Sequence, residues 1–140
     1  LFGERQAMKK INFLFGIHNH QPVGNFDFVF SDAYGQAYHP FLQVLENFPN
    51  IKIGLHFTGI LIDWLKEHRP GLLSMISKLV KRGQIEMMTG GYYEPILSII
   101  PEKDRIGQIQ MLTRTVTDLF DYEPRGMWLA ERVWEPTMPT

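Results

Sequence analysis

The 140 residues are 44% hydrophobic and 21% charged with a net charge of −1, the make-up of a domain that encloses one core. Lys and Arg are scattered rather than clustered, which argues against a nucleic-acid partner, and no apolar run is long enough to span a membrane. The absence of cysteine removes disulfides, thiolate metal sites and cysteine nucleophiles; with no secretory h-region in Leu1–Ala7, a cytoplasmic location is expected.

Met8 stands just before Lys9-Lys10 and the first apolar run, so residues 1–8 are set apart as an upstream remnant and residues 9–140 are read as one unit. Ile11–Ile17 is a short continuous apolar run, the pattern of a strand buried on both faces in a parallel sheet. His18-Asn19-His20-Gln21-Pro22 follows, where proline ends the ladder. After an aromatic loop, Ser31 or Asp32 is expected to cap a helix. Its apolar positions Tyr34, Tyr38, Phe41, Leu42, Leu45 and Phe48 share one face, and Pro40 predicts a kink. Ile51–Phe57 alternates as a second strand. Thr58 is a candidate cap for a helix through Arg69, and Pro70 opens another that Gly83 ends. Gln84–Thr89 is the third strand, leading into the loop Gly90-Gly91-Tyr92-Tyr93-Glu94-Pro95. Pro101 opens a long helix with Ile106, Ile109, Leu112, Val116 and Leu119 on one stripe. Gly126–Leu129 is read as a fourth strand.

This order, strand and helix in turn, predicts a parallel sheet with right-handed crossovers. An open doubly wound sheet and a (β/α) barrel both fit. No glycine-rich phosphate loop follows the first strand, and His18, His20, His56, Glu94 and Glu131 all fall at the C-terminal ends of strands, where a barrel gathers its site. The barrel is therefore preferred. Four strands are half of a barrel of about 250 residues, so a fragment of such a domain is expected.

Glu131 lies between Trp128 and Trp134. Aromatic faces hold the apolar side of a pyranose, and a carboxylate there can attack an anomeric carbon; a surface glutamate paired with Arg132 is the plainer alternative. Glu94, after two tyrosines, could bind a sugar hydroxyl or accept backbone N–H groups within its own turn. His18 and His20, two residues apart, point to one side of an extended chain. They could ligate a metal, with His56 as the nearest third histidine, or bind hydroxyls.

Taken together, His18-Asn-His20-Gln21-Pro22, Gly90-Gly91-Tyr92-Tyr93-Glu94-Pro95 and Trp128-Leu-Ala-Glu131-Arg132-Val-Trp134 resemble glycoside hydrolase family 57, over about Ile11 to Pro136. The nearest likeness is to its 4-α-glucanotransferase and α-amylase members. The resemblance implies an α/β fold, the N-terminal half of an incomplete seven-stranded (β/α) barrel with helices outside. It also implies a retaining mechanism on α-1,4-glucan or maltooligosaccharide, with no metal or other cofactor. By the same resemblance Glu131 matches the nucleophile, His20, Glu94 and Trp128 match residues lining the reacting glucose, and His18 falls in the same motif. The acid/base of the family is an aspartate on a later strand, and no Asp of this chain holds that place, so the 140 residues alone are expected to be inactive. The competing reading is a metal-dependent amidohydrolase or carbohydrate deacetylase using His18 and His20; a non-catalytic glycan-binding module is a third.

Overall fold

The computed structural model describes residues 10–136 and 138; the proposed upstream remnant lies outside the described residues. Three parallel strands, β1 (Gly16–Asn19), β2 (Ile53–Phe57) and β3 (Ile85–Met87), form a sheet in sequence order. The register places Gly16 beside Gly54, His18 beside His56, and Leu55 beside Met87. Each crossover is helical: α1 (Asp27–Ala33), a π-helical turn over Tyr34–Tyr38 and α2 (His39–Asn47) between the first two strands, then α3 (Gly59–His68) and α4 (Pro70–Lys81). After β3 comes α5 (Glu102–Phe120), then a 3₁₀ turn, Ala130–Arg132.

The hydrophobic core lies between sheet and helices. Leu55, Phe57 and Met87 from the strands meet Leu61, Ile62, Leu65, Leu72, Ile76 and Leu79 from α3 and α4. On α5 the buried stripe is Leu112, Val116 and Phe120, four residues apart. Each such side chain contributes about 1.5–3 kcal/mol by leaving water, which fixes the helices to one side of the sheet. One polar group joins this framework: Gln84, 2% exposed, donates from Nε2 to the carbonyls of Leu45 and Phe48 at 2.7 and 2.9 Å. It adds a second donor to carbonyls at the end of α2 that already accept the Phe48 and Ile51 N–H groups, and so ties that helix end to the start of β3.

The sequence reading needs correction at several places. The first strand begins at Gly16, not Ile11, and runs on to Asn19; Ile11, Phe13 and Leu14 are exposed. Gly16 is exposed and Ile17 to Asn19 are only half-buried, so the run is not buried on both faces. The first helix starts at Asp27, which leaves Ser31 and Asp32 inside it rather than at its cap. The kink predicted at Pro40 takes the form of the π-helical turn just before α2, the wider winding absorbing the ladder bond that proline cannot make. Thr58 occupies the N-cap position of α3 in an extended conformation, but its hydroxyl makes no capping bond. Pro101 precedes α5 as its N-cap, and Ile106 is exposed because the first turns of that helix project beyond the core. The fourth strand is reduced to one parallel bridge, Thr89 with Met127, because the chain turns at once into Ala130–Arg132. Among the described residues no helix is long and apolar enough to cross a membrane.

The face of the sheet away from the helices is layered. Gly16 and Gly54 leave room for Met88, whose Cε would lie 3.6 and 3.4 Å from a methyl placed on either glycine. Two residues further along each strand, on the same face, come His18 and His56. Glycines below and imidazoles above make a floor and a rim, as in the stacked interior of a barrel.

Candidate active site

Strand periodicity delivers His18 and His20 to that rim from β1 and its extension, and β2 delivers His56 opposite His18. The Nδ1 atoms of His18 and His56 are 2.8 Å apart. Asn19 ties the same strands together by donating from Nδ2 to the His56 carbonyl at 3.2 Å. His56 is 1% exposed, and burial, reinforced by the positive charge His18 and His20 can carry, lowers its pKa from 6.5 to about 3. It is therefore a neutral imidazole at any ordinary pH.

Glu94 arrives from the loop after β3. His18 Nε2 lies 2.9 Å from Glu94 Oε1, and His20 Nδ1 sits against Oε2. The Glu94 side chain is only 9% exposed, so its charge depends on these two imidazoles for what water no longer supplies. Glu94 itself adopts the left-handed region, with φ 54°, which costs a non-glycine residue about 1–3 kcal/mol and requires a rigid surround.

That surround is visible. The ring of Tyr92 packs directly on Gly59, where a methyl would fall 2.3 Å from the ring, and the Gly59 N–H donates to the Tyr92 carbonyl at 2.9 Å. The Tyr92 hydroxyl donates to Asp63 Oδ2 of α3 at 2.6 Å; burial and then the Asp63 carboxylate push this phenol upward. Gln108 of α5 accepts from the Tyr93 N–H at 2.9 Å. At Gly90 a methyl would lie 2.8 Å from His56 Nε2 and 3.0 Å from the Trp128 carbonyl, so only hydrogen fits there.

Trp128 closes the other side. Its N–H donates to the Thr89 carbonyl at 2.8 Å, the bridge that anchors this segment to the end of β3. Its ring stacks on His18, centroids 4.5 Å apart and planes 4° from parallel. Three residues on, Glu131 and Arg132 both hold positive φ, 53° and 58°, in the 3₁₀ turn. Glu131 is exposed, and no side-chain hydrogen bond or ion pair among the described residues ties it to Arg132 or to the histidines. Trp134 is exposed as well, so its ring is not part of the core.

Of the five residues that the family resemblance matches, four form one cluster: His18, His20, Glu94 and Trp128. The fifth, Glu131, follows on the next turn. Among the described residues the Glu94 carboxylate faces imidazoles and not the N–H groups of its own loop. His56, expected as the third histidine of a metal set, hydrogen-bonds to His18 instead, and Glu94 is the third member beside His18 and His20. The ligand atoms of these three lie within 4.8 Å of one another, and two imidazoles with a carboxylate are a donor set a divalent cation could use. An ion there would have to replace the direct contacts between Glu94 and both histidines.

Comparison with known proteins follows the same lines. The profile described as glycosyl hydrolase family 57 matches residues 14–140. The 4-alpha-glucanotransferase of Thermococcus litoralis is 49% identical over 131 residues, which are 94% of this chain and 20% of that protein. An alpha-amylase of Pyrococcus horikoshii is also 49% identical over 131 residues, with the same two coverages. A crystal structure of the Thermococcus litoralis 4-alpha-glucanotransferase superposes with a TM-score of 0.89 over 91% of this chain and 20% of that one. The chain thus spans about one fifth of the length of these relatives. The parallel sheet with its outer helices is the N-terminal portion of the barrel they share.

Proposed function

Because the chain belongs to glycosyl hydrolase family 57, we propose that the protein carrying it acts on α-1,4-glucan, cleaving it or transferring glucosyl units by a retaining mechanism. The observation that carries this reading is the cluster in which His18 and His20 grip Glu94 beside the Trp128 ring, on the rim just ahead of Glu131. It offers what a pyranose site needs: fixed acceptors and donors for hydroxyl groups, aromatic surface, and a carboxylate close by in the chain.

In this reading Glu131 is the nucleophile. Its carboxylate attacks the anomeric carbon, the bond from that carbon to the glycosidic oxygen breaks, and a glucosyl ester forms. Water or a sugar hydroxyl then displaces the ester, which restores the configuration. His20, Glu94 and Trp128, with His18, hold the reacting glucose. The leaving oxygen needs a proton from a second carboxyl group about 5–5.5 Å from the first, which the family resemblance places in a later strand. The 140 residues by themselves are accordingly proposed to be inactive.

The decisive experiment is Glu131→Gln in the full-length protein, assayed for hydrolysis and disproportionation of maltooligosaccharides. Loss of turnover with an unchanged circular dichroism spectrum is expected. Retained turnover would remove Glu131 as nucleophile, and retained glucan binding in a wild-type protein without turnover would leave a binding module.

A further inference from the structure

We propose that His56 is a positioning residue of the glucan site, acting through His18; the inference rests on the reading of that cluster as a glucan site. His56 touches neither solvent nor Glu94. Among the described residues its side chain makes one hydrogen bond, Nδ1 to Nδ1 of His18 at 2.8 Å, and a contact between two imidazole nitrogens needs one proton between them.

The surroundings decide where that proton sits. His18 must present an N–H from Nε2 to the Glu94 carboxylate, since a bare lone pair 2.9 Å from Oε1 would be repelled. A neutral His18 then has its lone pair on Nδ1, and His56 donates to it. In the opposite arrangement the single proton of neutral His56 would lie on Nε2, which is buried against Gly90 and has no hydrogen-bond partner among the described residues. The direction of donation is thus His56 Nδ1–H to His18 Nδ1, and His18 Nε2–H to Glu94.

His56 is well placed for this duty. It stands on the central strand, in register with His18, with its carbonyl held by Asn19 and its ring confined by Gly90 and the Trp128 stack. Two rigid elements therefore set the tautomer of His18, and His18 sets the orientation of Glu94 toward the sugar. Without His56, the His18 ring is free to turn over and carry its proton away from Glu94.

Selective ¹⁵N-histidine labelling of the full-length protein near neutral pH reads the tautomers directly, with signals assigned by His18→Gln and His56→Asn. A protonated Nδ1 on His56 and a protonated Nε2 alone on His18 are expected. Protonation of His56 on Nε2, or of His18 on both nitrogens, overturns the inference, and this readout does not depend on turnover. For kinetics, His56→Leu is expected to lower kcat on maltooligosaccharide by roughly tenfold to a hundredfold with little change in KM. His56→Asn, whose amide N–H stands where Nδ1–H stood, is expected to restore most of it. A folded His56→Leu enzyme with wild-type kcat, or an Asn variant no better than Leu, overturns the inference; should the Leu variant not fold, the Asn variant and the tautomers decide. Absence of glucan turnover in the wild-type protein would instead defeat the functional reading.

Discussion

His18 and Glu94, 76 positions apart in the sequence, meet at 2.9 Å between Nε2 and Oε1. The contact joins an edge strand to a loop whose backbone is held left-handed at Glu94, so it fixes the loop's position over the sheet. Glu94→Gln keeps the volume and replaces one acceptor oxygen by an amide that can only donate. One of the two imidazoles then faces a donor with its own N–H, at about 1–3 kcal/mol for the orphaned group. In the full-length protein, kcat/KM for maltooligosaccharide should fall by roughly tenfold to a hundredfold, each tenfold being about 1.4 kcal/mol. A variant with unaltered kcat/KM would show that the carboxylate is dispensable.

His56 makes stability depend on pH. Its pKa in the folded protein is lowered from 6.5 to about 3, so below 6.5 the unfolded chain binds a proton that the folded chain refuses. The contribution is complete above 6.5 and is lost progressively as pH falls toward 3. Between pH 7 and pH 5 the loss is about 2 kcal/mol. Thermal unfolding of the full-length protein at those two pH values should show the drop. His56→Asn, which cannot titrate, should reduce the difference between the two midpoints. Equal differences for parent and variant would mean that other groups carry the dependence.

How much of this was written in the sequence depends on range. Pro70 and Gly83 bound α4 as local chemistry requires, and the alternation of Ile53, Leu55 and Phe57 gave the central strand. The apolar run Ile11–Ile17 misled because composition does not report which residues the fold covers: Ile11, Phe13 and Leu14 lie ahead of β1 and are exposed. The site was legible as three motifs at strand ends, and the structure draws His18, His20, Glu94 and Trp128 together. His56 was underread: its role comes from register with His18 across the sheet, a relation between residues 38 apart that no local pattern encodes. The left-handed backbone of Glu94 and Glu131 was equally hidden, since the usual sequence marker of positive φ is glycine.

Two glycines separate packing from propensity. At Gly59 a methyl would fall 2.3 Å from the Tyr92 ring, while at Gly107, inside α5, it would meet nothing within 4 Å. Gly59→Ala should therefore destabilise by about 1–3 kcal/mol or more through overpacking. It should also lower activity, because Tyr92 supports the loop that carries Glu94. Gly107→Ala should stabilise by roughly 0.5–1 kcal/mol, through the helix preference for alanine. Differential scanning calorimetry of both variants checks the signs. A Gly59→Ala protein as stable and active as its parent would mean that Tyr92 is free to move away, and that the loop is not held as described.

The cluster of His18, His20 and Glu94 makes the metal question testable in the same protein. A cation bound by all three would need each histidine to turn a lone pair toward it, whereas both now face a carboxylate whose two oxygens they already occupy. Three protein ligands within 4.8 Å could hold a catalytic zinc only by giving up those contacts, and His20 is itself substantially exposed. Glucan turnover is therefore expected to survive exhaustive dialysis against EDTA, and elemental analysis to find no stoichiometric zinc. One zinc per chain, with activity lost on chelation, restored by the ion and abolished by His18→Gln, would transfer these residues to a metal-dependent hydrolase. In that case the imidazole contacts to Glu94 would be the resting arrangement of a ligand set, not of a sugar site.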